Sequence, residues 1–326
     1  MFCVLSYVKC IRYINDIFSC FKPIFLLVFN LSCYNMDILY CYGGVMILIK
    51  ITADSTCDLP SEIVNALNIT TIPLHIIVDK ENFRDGINIT HEDIFKYVGE
   101  QNKKCTTASI NIYEYEEFFA QFTKDYEAVI HITIGADFSA CYHNAKIAAQ
   151  NFDNVYIIDS QNLSTGSGHL VYDAALLARE GYSAQNIVQK IEALVPKLDT
   201  SFVMDRLDYL KKGGRCTNIE MFAAALLKIK PSIEVNNGKM VVGKKYRGTL
   251  IKCLEKYIKE RLQNNDRIDY SRLFITHSMC PPEIVEKVKT WVAQYAPFEE
   301  VIETIAGTTL SVHSGPNTLG LLYKQK

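Results

Sequence analysis

The chain has 326 residues, enough for about two domains. Its 49% hydrophobic and 21% charged content are those of a soluble globular protein. A net charge of −2 gives no electrostatic reason to look for nucleic acid or an anionic membrane surface. Five of the cysteines (Cys3, Cys10, Cys20, Cys33 and Cys41) precede Met46, and the others are scattered without a CxxC pair. Neither a disulfide framework nor a metal site is expected, and reduced cytoplasmic thiols are the default.

Residues 1–45 differ from the rest, being rich in Phe, Tyr, Cys, Leu and Ile with few charges. Lys22 and Pro23 interrupt the apolar run, and Pro23 to Leu31 is far too short to span a bilayer. No small residues mark a signal-peptide cleavage point. The position three before Cys33, where a lipoprotein signal wants Leu, holds Asn30. Gly43-Gly44 is what GGA-GGT, a ribosome-binding sequence, encodes in this frame, and Met46-Ile47-Leu48 opens the first strand. Residues 1–45 are therefore expected to be leader translated from an over-extended start.

From Met46 onward strands alternate with helices. Ile47 to Ala53 reads as a strand, followed by the turn Asp54-Ser55-Thr56 and a short helix from Ser61 to Leu67 capped by Asp58 or Ser61. Ile69 to Val78 reads as one strand, Asn82 to Gly86 as a turn, His91 to Val98 as a helix after Thr90, and Lys103 to Ser109 as a polar loop. Ile112 to Phe122 is a helix with aromatic residues on one side. Ala128 to Ile134 is a run of β-formers that Gly135 ends, and an Ala-rich helix opens at Phe138-Ser139. Val155 to Ile158 is a strand, Asp159 to Gly168 a loop of small and hydroxyl residues, and Leu170 to Arg179 a helix. This alternation predicts a mostly parallel sheet flanked by helices.

In the second half, Leu207 to Arg215 reads as a helix stopped by Gly213-Gly214, and Asn218 to Leu227 as another short helix. Asn236-Asn237-Gly238 is a hairpin signal between two short strands. Leu250 to Leu262 and Pro282 to Tyr295 read as helices, Leu273 to Ser278 and Val301 to Ala306 as strands, and Val312 to Asn317 as a polar loop.

The Asp54-Ser55-Thr56 turn, Thr106-Thr107, Ser139 and the Ser160 to Ser167 loop all follow or neighbour expected strand ends. In an open parallel sheet ligands bind beyond the carboxyl ends of the strands, so these turns predict a hydroxyl-lined crevice. Ser139 alone reads first as a helix cap, and as an anion site only in such company. Gly166-Ser167-Gly168 lacks the third glycine of a dinucleotide loop. Ser139 lies in Gly-Ala-Asp-Phe-Ser-Ala, which is not a nucleophile elbow. Arg215 reads as a solvated arginine or one bonding helix carbonyls, and more sharply as a planar fork for a carboxylate; His313 reads first as a surface histidine, and as a ligand donor because Ser314-Gly315 lets the backbone approach closely.

Four segments, in this order, resemble the DegV family of fatty-acid-binding proteins: Ile51-Thr-Ala-Asp-Ser-Thr-Cys-Asp-Leu-Pro60, Leu207 to Arg215, Lys230-Pro231 with the Asn-Asn-Gly hairpin, and His313-Ser314-Gly315-Pro316. The resemblance runs from Met46 to the C-terminus. It implies two α/β domains, 46–195 holding the acyl-chain pocket and 196–326 contributing Arg and His, with a long-chain fatty acid held between them. Carried over residue by residue, the head-group set is Thr106, Ser139, Arg215 and His313. The surroundings depart from the family: its Thr-Ser-Gln-Pro is Thr106-Thr107-Ala108-Ser109 here, and Asp137 is an addition. The resemblance further implies presentation of the bound acid to a fatty-acid kinase for acyl-phosphate formation and phospholipid synthesis. On that reading the chain has no chemistry of its own, no cofactor, no nucleic-acid partner and no stable membrane insertion. The alternative is an α/β enzyme acting on a small phosphorylated or carboxylated substrate in the same crevice. For the leader, an N-terminal mass measurement on native protein is expected to find Met46 first; residues before it would refute that reading.

Overall fold

A computed structural model describes residues 41–42, 45–46, 48–212 and 229–326. A two-residue ladder pairs Cys41–Tyr42 with Val45–Met46. Beyond it, three sheets organise the chain.

The first sheet is parallel throughout. β1 (Ile49–Asp54) lies between β2 (Thr70–Ile72) and β6 (Ala128–Thr133), and β7 (Val155–Asp159) follows β6. Every residue of β6 is buried. Period-two alternation divides it between two cores. Ile130 and Ile132 face α5 (Thr165–Arg179) and α6 (Ala184–Leu194), while Val129 faces α3 (Ile112–Ala120) and α4 (Cys141–Ala148). α3 begins with a capping box in which Asn111 and Glu114 satisfy each other's backbone N–H groups. Asp54 enters the α3 side of the core and is matched there by Tyr115 Oη (2.7 Å), the Ile134 N–H (2.9 Å) and His131 Nε2 (3.3 Å).

The segment expected to be one strand from Ile69 to Val78 is two. Pro73 has no N–H to continue the ladder, so β2 stays in the parallel sheet and β3 (His75–Val78) starts a separate antiparallel one. β3 pairs with β4 (Glu81–Arg84) and with β5 (Cys105–Ala108). The reversal between β3 and β4 falls at Asp79-Lys80, with Asp79 at φ +55, so the expected turn at 82–86 is largely strand. Lys103 to Ser109, expected to be a loop, contains β5. Thr90 does cap the next helix, α2 (His91–Phe95), in a capping box with Asp93. α1 (Ser61–Ala66) instead starts after Pro60, with no side-chain cap.

The second half builds a six-stranded sheet from β8 (Leu198–Val203), β9 (Ile229–Asn236), β10 (Lys239–Arg247), β11 (Ile268–Ser278), β12 (Glu300–Ile305) and β13 (Thr318–Gln325). The order is β10-β9-β8-β13-β11-β12, antiparallel except for the β11–β12 pair. Asn237 and Gly238, both at positive φ, make the β9–β10 turn that the Asn-Asn-Gly signal predicts. α8 (Leu250–Leu262) and α9 (Pro282–Tyr295) bury their apolar stripes together against this sheet.

α5 joins the two halves. Its Leu170, Val171 and Ala174 pack on the parallel sheet. From the same helix, Asp173 pairs with Arg272 and Lys324, His169 Nε2 donates to the Leu322 carbonyl (3.0 Å), and Thr165 bonds Thr276. At Gly168 the helix lies close against the first half, since a Cβ there would stand 2.6 Å from the Cys57 carbonyl oxygen. The Gly166-Ser167-Gly168 run is therefore a packing surface inside a helix, not a nucleotide loop. No helix among the described residues is long and apolar enough to cross a membrane.

The segment expected to be a polar loop at 312–317 begins as helix: α10 (Thr308–Ser314) is followed by Gly315 at φ +68 and ψ 175. That conformation is essentially restricted to glycine, and a Cβ at 315 would also stand 2.7 Å from the Tyr209 ring. Gly315→Ala is expected to destabilise the fold by roughly 1–3 kcal/mol from backbone strain alone. Urea unfolding checks this; an unchanged midpoint would show that the ring and the backbone relax freely.

Candidate functional site

A cavity of about 930 Å³, measured to its open mouth, lies between the two halves. Its apolar walls come from both sides, with Leu74, Phe138 and Leu163 facing Phe202, Met240 and Leu322. At the β9–β10 turn, a Cβ on Gly238 would lie 3.5 Å from Gln161 Cβ and 3.8 Å from Asp137 Oδ2, so the hairpin tip meets the strand-end loops of the first half.

Against this apolar lining stands a polar wall made by β5 and α10. His313 Nε2 and Thr107 Oγ1 are 2.8 Å apart, and both line the cavity with Ser139 and Ser314. The threonine is one residue from the expected one. In β5 alternate side chains face opposite sides, and Cys105 packs against Val312 and Tyr209 beneath α10. Thr107 shares that face and reaches His313; Thr106 points the other way and does not line the cavity. Reading 103–109 as a loop hid this alternation, which the adjacent threonines would otherwise have raised. Ser139 lies where expected. Its Oγ accepts the Cys141 N–H (3.3 Å) and lies 3.1 Å from the Cys141 thiol, so it shapes the start of α4 while facing the cavity. Burial pushes the Cys141 thiol up to about 12, which keeps it neutral. Arg215, like the expected helix at 218–227, lies outside the described residues. Of the other hydroxyl-bearing turns, Ser164 reaches the cavity, whereas Ser55 is drawn into a second constellation.

That constellation fixes α10. Asp58 accepts the Gly307 N–H (2.9 Å) and the Ser164 hydroxyl (2.6 Å). Asp85 accepts the Thr309 N–H (3.0 Å) and the hydroxyls of Thr308 (2.6 Å) and Ser55 (2.6 Å). Gly307 fits because a Cβ there would stand 2.9 Å from Asp58 Oδ1. The two carboxylates take up backbone N–H groups that the first turn of the helix cannot satisfy itself. Burial pushes the Asp58 carboxyl up to about 8 against the pull of the Ser164 and Gly307 donors, with Asp85 adding to the rise. Among the described residues no Lys or Arg lines the cavity, and no three His, Cys, Asp or Glu side chains are disposed to hold a metal ion.

Two α/β lobes lining a mostly apolar cavity, with hydroxyls and the histidines His277 and His313 among the lining, define the class of protein. A family model described as "Uncharacterised protein, DegV family" matches residues 48–326, and the chain belongs to the DegV family. A DegV domain-containing protein of Clostridium acetobutylicum is 30% identical over 282 residues, covering 85% of this chain and 99% of the relative. Among solved structures, a DegV family protein from Thermus thermophilus described for its fatty acid binding is 26% identical, with a TM-score of 0.78. It is covered completely by 86% of this chain. DegV of Bacillus subtilis, described as a fatty acid binding protein, is 25% identical with a TM-score of 0.72 over the same shares.

The raised Asp58 carboxyl has a sign that stability measurements read. An acid whose folded pKa lies above its unfolded value, about 3.9, holds a proton in the folded state that the unfolded chain has lost. Its contribution is fully present below about pH 4 and lost as pH rises to about 8. Wild type is expected to lose up to about 1.4 kcal/mol per pH unit in this window relative to Asp58→Asn. Parallel slopes for the two proteins between pH 5.5 and 7.5 would contradict it.

Proposed function

We propose that this chain binds a long-chain fatty acid in the interlobe cavity. Its carboxylate lies toward Thr107, Ser139, Ser314 and His313, and its acyl chain lies along the apolar walls. The observation that carries the reading is the Thr107–His313 pair facing an otherwise greasy cavity. Family membership and the fatty acid binding described for the Thermus and Bacillus proteins support it.

The physics suits such a ligand. Burying about sixteen methylenes at about 0.8 kcal/mol each gives a gross term on the order of 12 kcal/mol. Association and ordering take back several kcal/mol, so the chain supplies most of the affinity and the polar wall fixes orientation. Desolvation alone would favour the neutral acid, and donors at the polar wall keep the carboxylate charged. Arg215, on the family resemblance, is the cationic partner of that carboxylate. In the cytoplasm the bound acid is presented to a fatty-acid kinase, phosphorylated to acyl phosphate, and passed to phospholipid synthesis, with no catalysis by this chain.

Mass spectrometry of ligand extracted from the purified protein is expected to find a long-chain acid. A nucleotide or sugar phosphate in its place would move the chain to the enzyme reading. Thr107→Val and Arg215→Ala should each weaken acid binding by about 1.5–3 kcal/mol, the worth of a hydrogen bond to a charged group, whereas Thr106→Val should not. Equal losses from the Thr106 and Thr107 variants would undo the assignment of β5.

A further inference from the structure

α10 turns four residues toward the cavity: Thr309, Leu310, His313 and Ser314. Thr309 is one helical turn, about 5.4 Å, before His313 on the same face. It is 3% exposed, and its hydroxyl has no hydrogen-bond partner. Ser314, placed against the head group above, is likewise unpartnered, whereas the other hydroxyls around Thr309 are engaged. Thr308 bonds Asp85, Ser311 bonds Ser278 and the Ala306 carbonyl, Thr276 bonds Thr165 and Thr304, and Ser164 bonds Asp58. Thr309 donates its backbone N–H to Asp85, which anchors its backbone at the cavity. A buried hydroxyl left unpaired is unfavourable, and a plain methylene chain gives it nothing to bond. The residue that fills the same volume without that cost is Val.

We propose that Thr309 selects the ligand: its hydroxyl bonds an oxygen carried on the acyl chain a few carbons from the carboxylate, so the cavity prefers an acid hydroxylated near its head over the unsubstituted acid. This rests on the fatty-acid reading above. The polar wall at Thr107 and His313 sets the carboxylate, and the one-turn offset to Thr309 sets the distance at which the second oxygen is read. A hydroxyl at the far end of the chain falls outside that reach.

The test is direct binding of hexadecanoate, 3-hydroxyhexadecanoate and 16-hydroxyhexadecanoate to the full chain. Wild type is expected to bind the 3-hydroxy acid about fivefold more tightly than hexadecanoate, the factor that one ordinary hydrogen bond supplies. The 16-hydroxy acid should gain nothing. Thr309→Val should bring the 3-hydroxy preference to about one, and Thr309→Ser, which keeps the hydroxyl, should retain it. A wild-type ratio near one overturns the inference, because the hydroxyl is then served by water alone. A Thr309→Val variant that loses both acids equally also overturns it, by making Thr309 a head-group donor. Failure of wild type to bind any of the three acids refutes the fatty-acid reading itself, which separates the two failures.

Discussion

The two buried carboxylates at the start of α10 are the constraint on which the rest depends. Asp58 and Asp85 lie 249 and 224 residues before the N–H groups they accept, those of Gly307 and Thr309. A buried acid, whether ionised or, like Asp58, kept protonated by burial, is tolerable only when its oxygens are met by donors. Here the donors are the backbone at the start of a short helix and the hydroxyls of Ser55, Ser164 and Thr308. The arrangement settles two needs at once, since the helix start gains acceptors and the carboxylates gain donors. It also fixes the pitch at which α10 carries His313 over Thr107. A seven-residue helix has little stability of its own, so its position is set by what grips its ends. At the other end Gly315 takes the positive φ that lets Tyr209 pack close.

The cavity exists because the two large sheets are held apart by α5 and not pressed together. Small residues let that helix sit close to the parallel sheet, and charged groups tie it to the second sheet. Asp173 is shared by Arg272 and Lys324, and the Arg272 guanidinium stacks 3.6 Å over the Tyr172 ring. These pairs are mostly shielded from water, so their strength rests on good geometry. With the spacing fixed by a helix, side chains such as Phe202 and Leu322 from one sheet and Leu163 from the other half leave a gap that they do not fill.

Much of the fold was legible in the residues. The run from Val129 to Ile134 marks a strand buried on both faces, Thr90 and Asp93 mark a helix start, and Asn-Asn-Gly marks a hairpin. These are local signals with local causes. What was not legible has tertiary causes. β5 reads as polar because it follows Lys103-Lys104 and carries Thr106-Thr107, and it is a strand because β3 offers its edge. α10 reads as a loop because its cap comes from Asp58 and Asp85, which no local window contains. The same holds at the site. His313 and Ser139, expected from residue type and position, do line the cavity, while telling Thr107 from Thr106 needed the alternation of a strand that the sequence had disguised.

The walls of the cavity have a thermodynamic consequence. The lining at Leu74, Phe138, Phe202 and Leu322 belongs to both halves, so an apolar ligand makes dispersion contacts with each. Such a molecule acts as part of the packing between the lobes. A ligand that binds the folded chain and not the unfolded one stabilises the fold as its free concentration rises above its Kd. The carboxylate grip on α10 and a ligand in the cavity both act across the same junction, so on the proposed reading affinity and stability are linked through it.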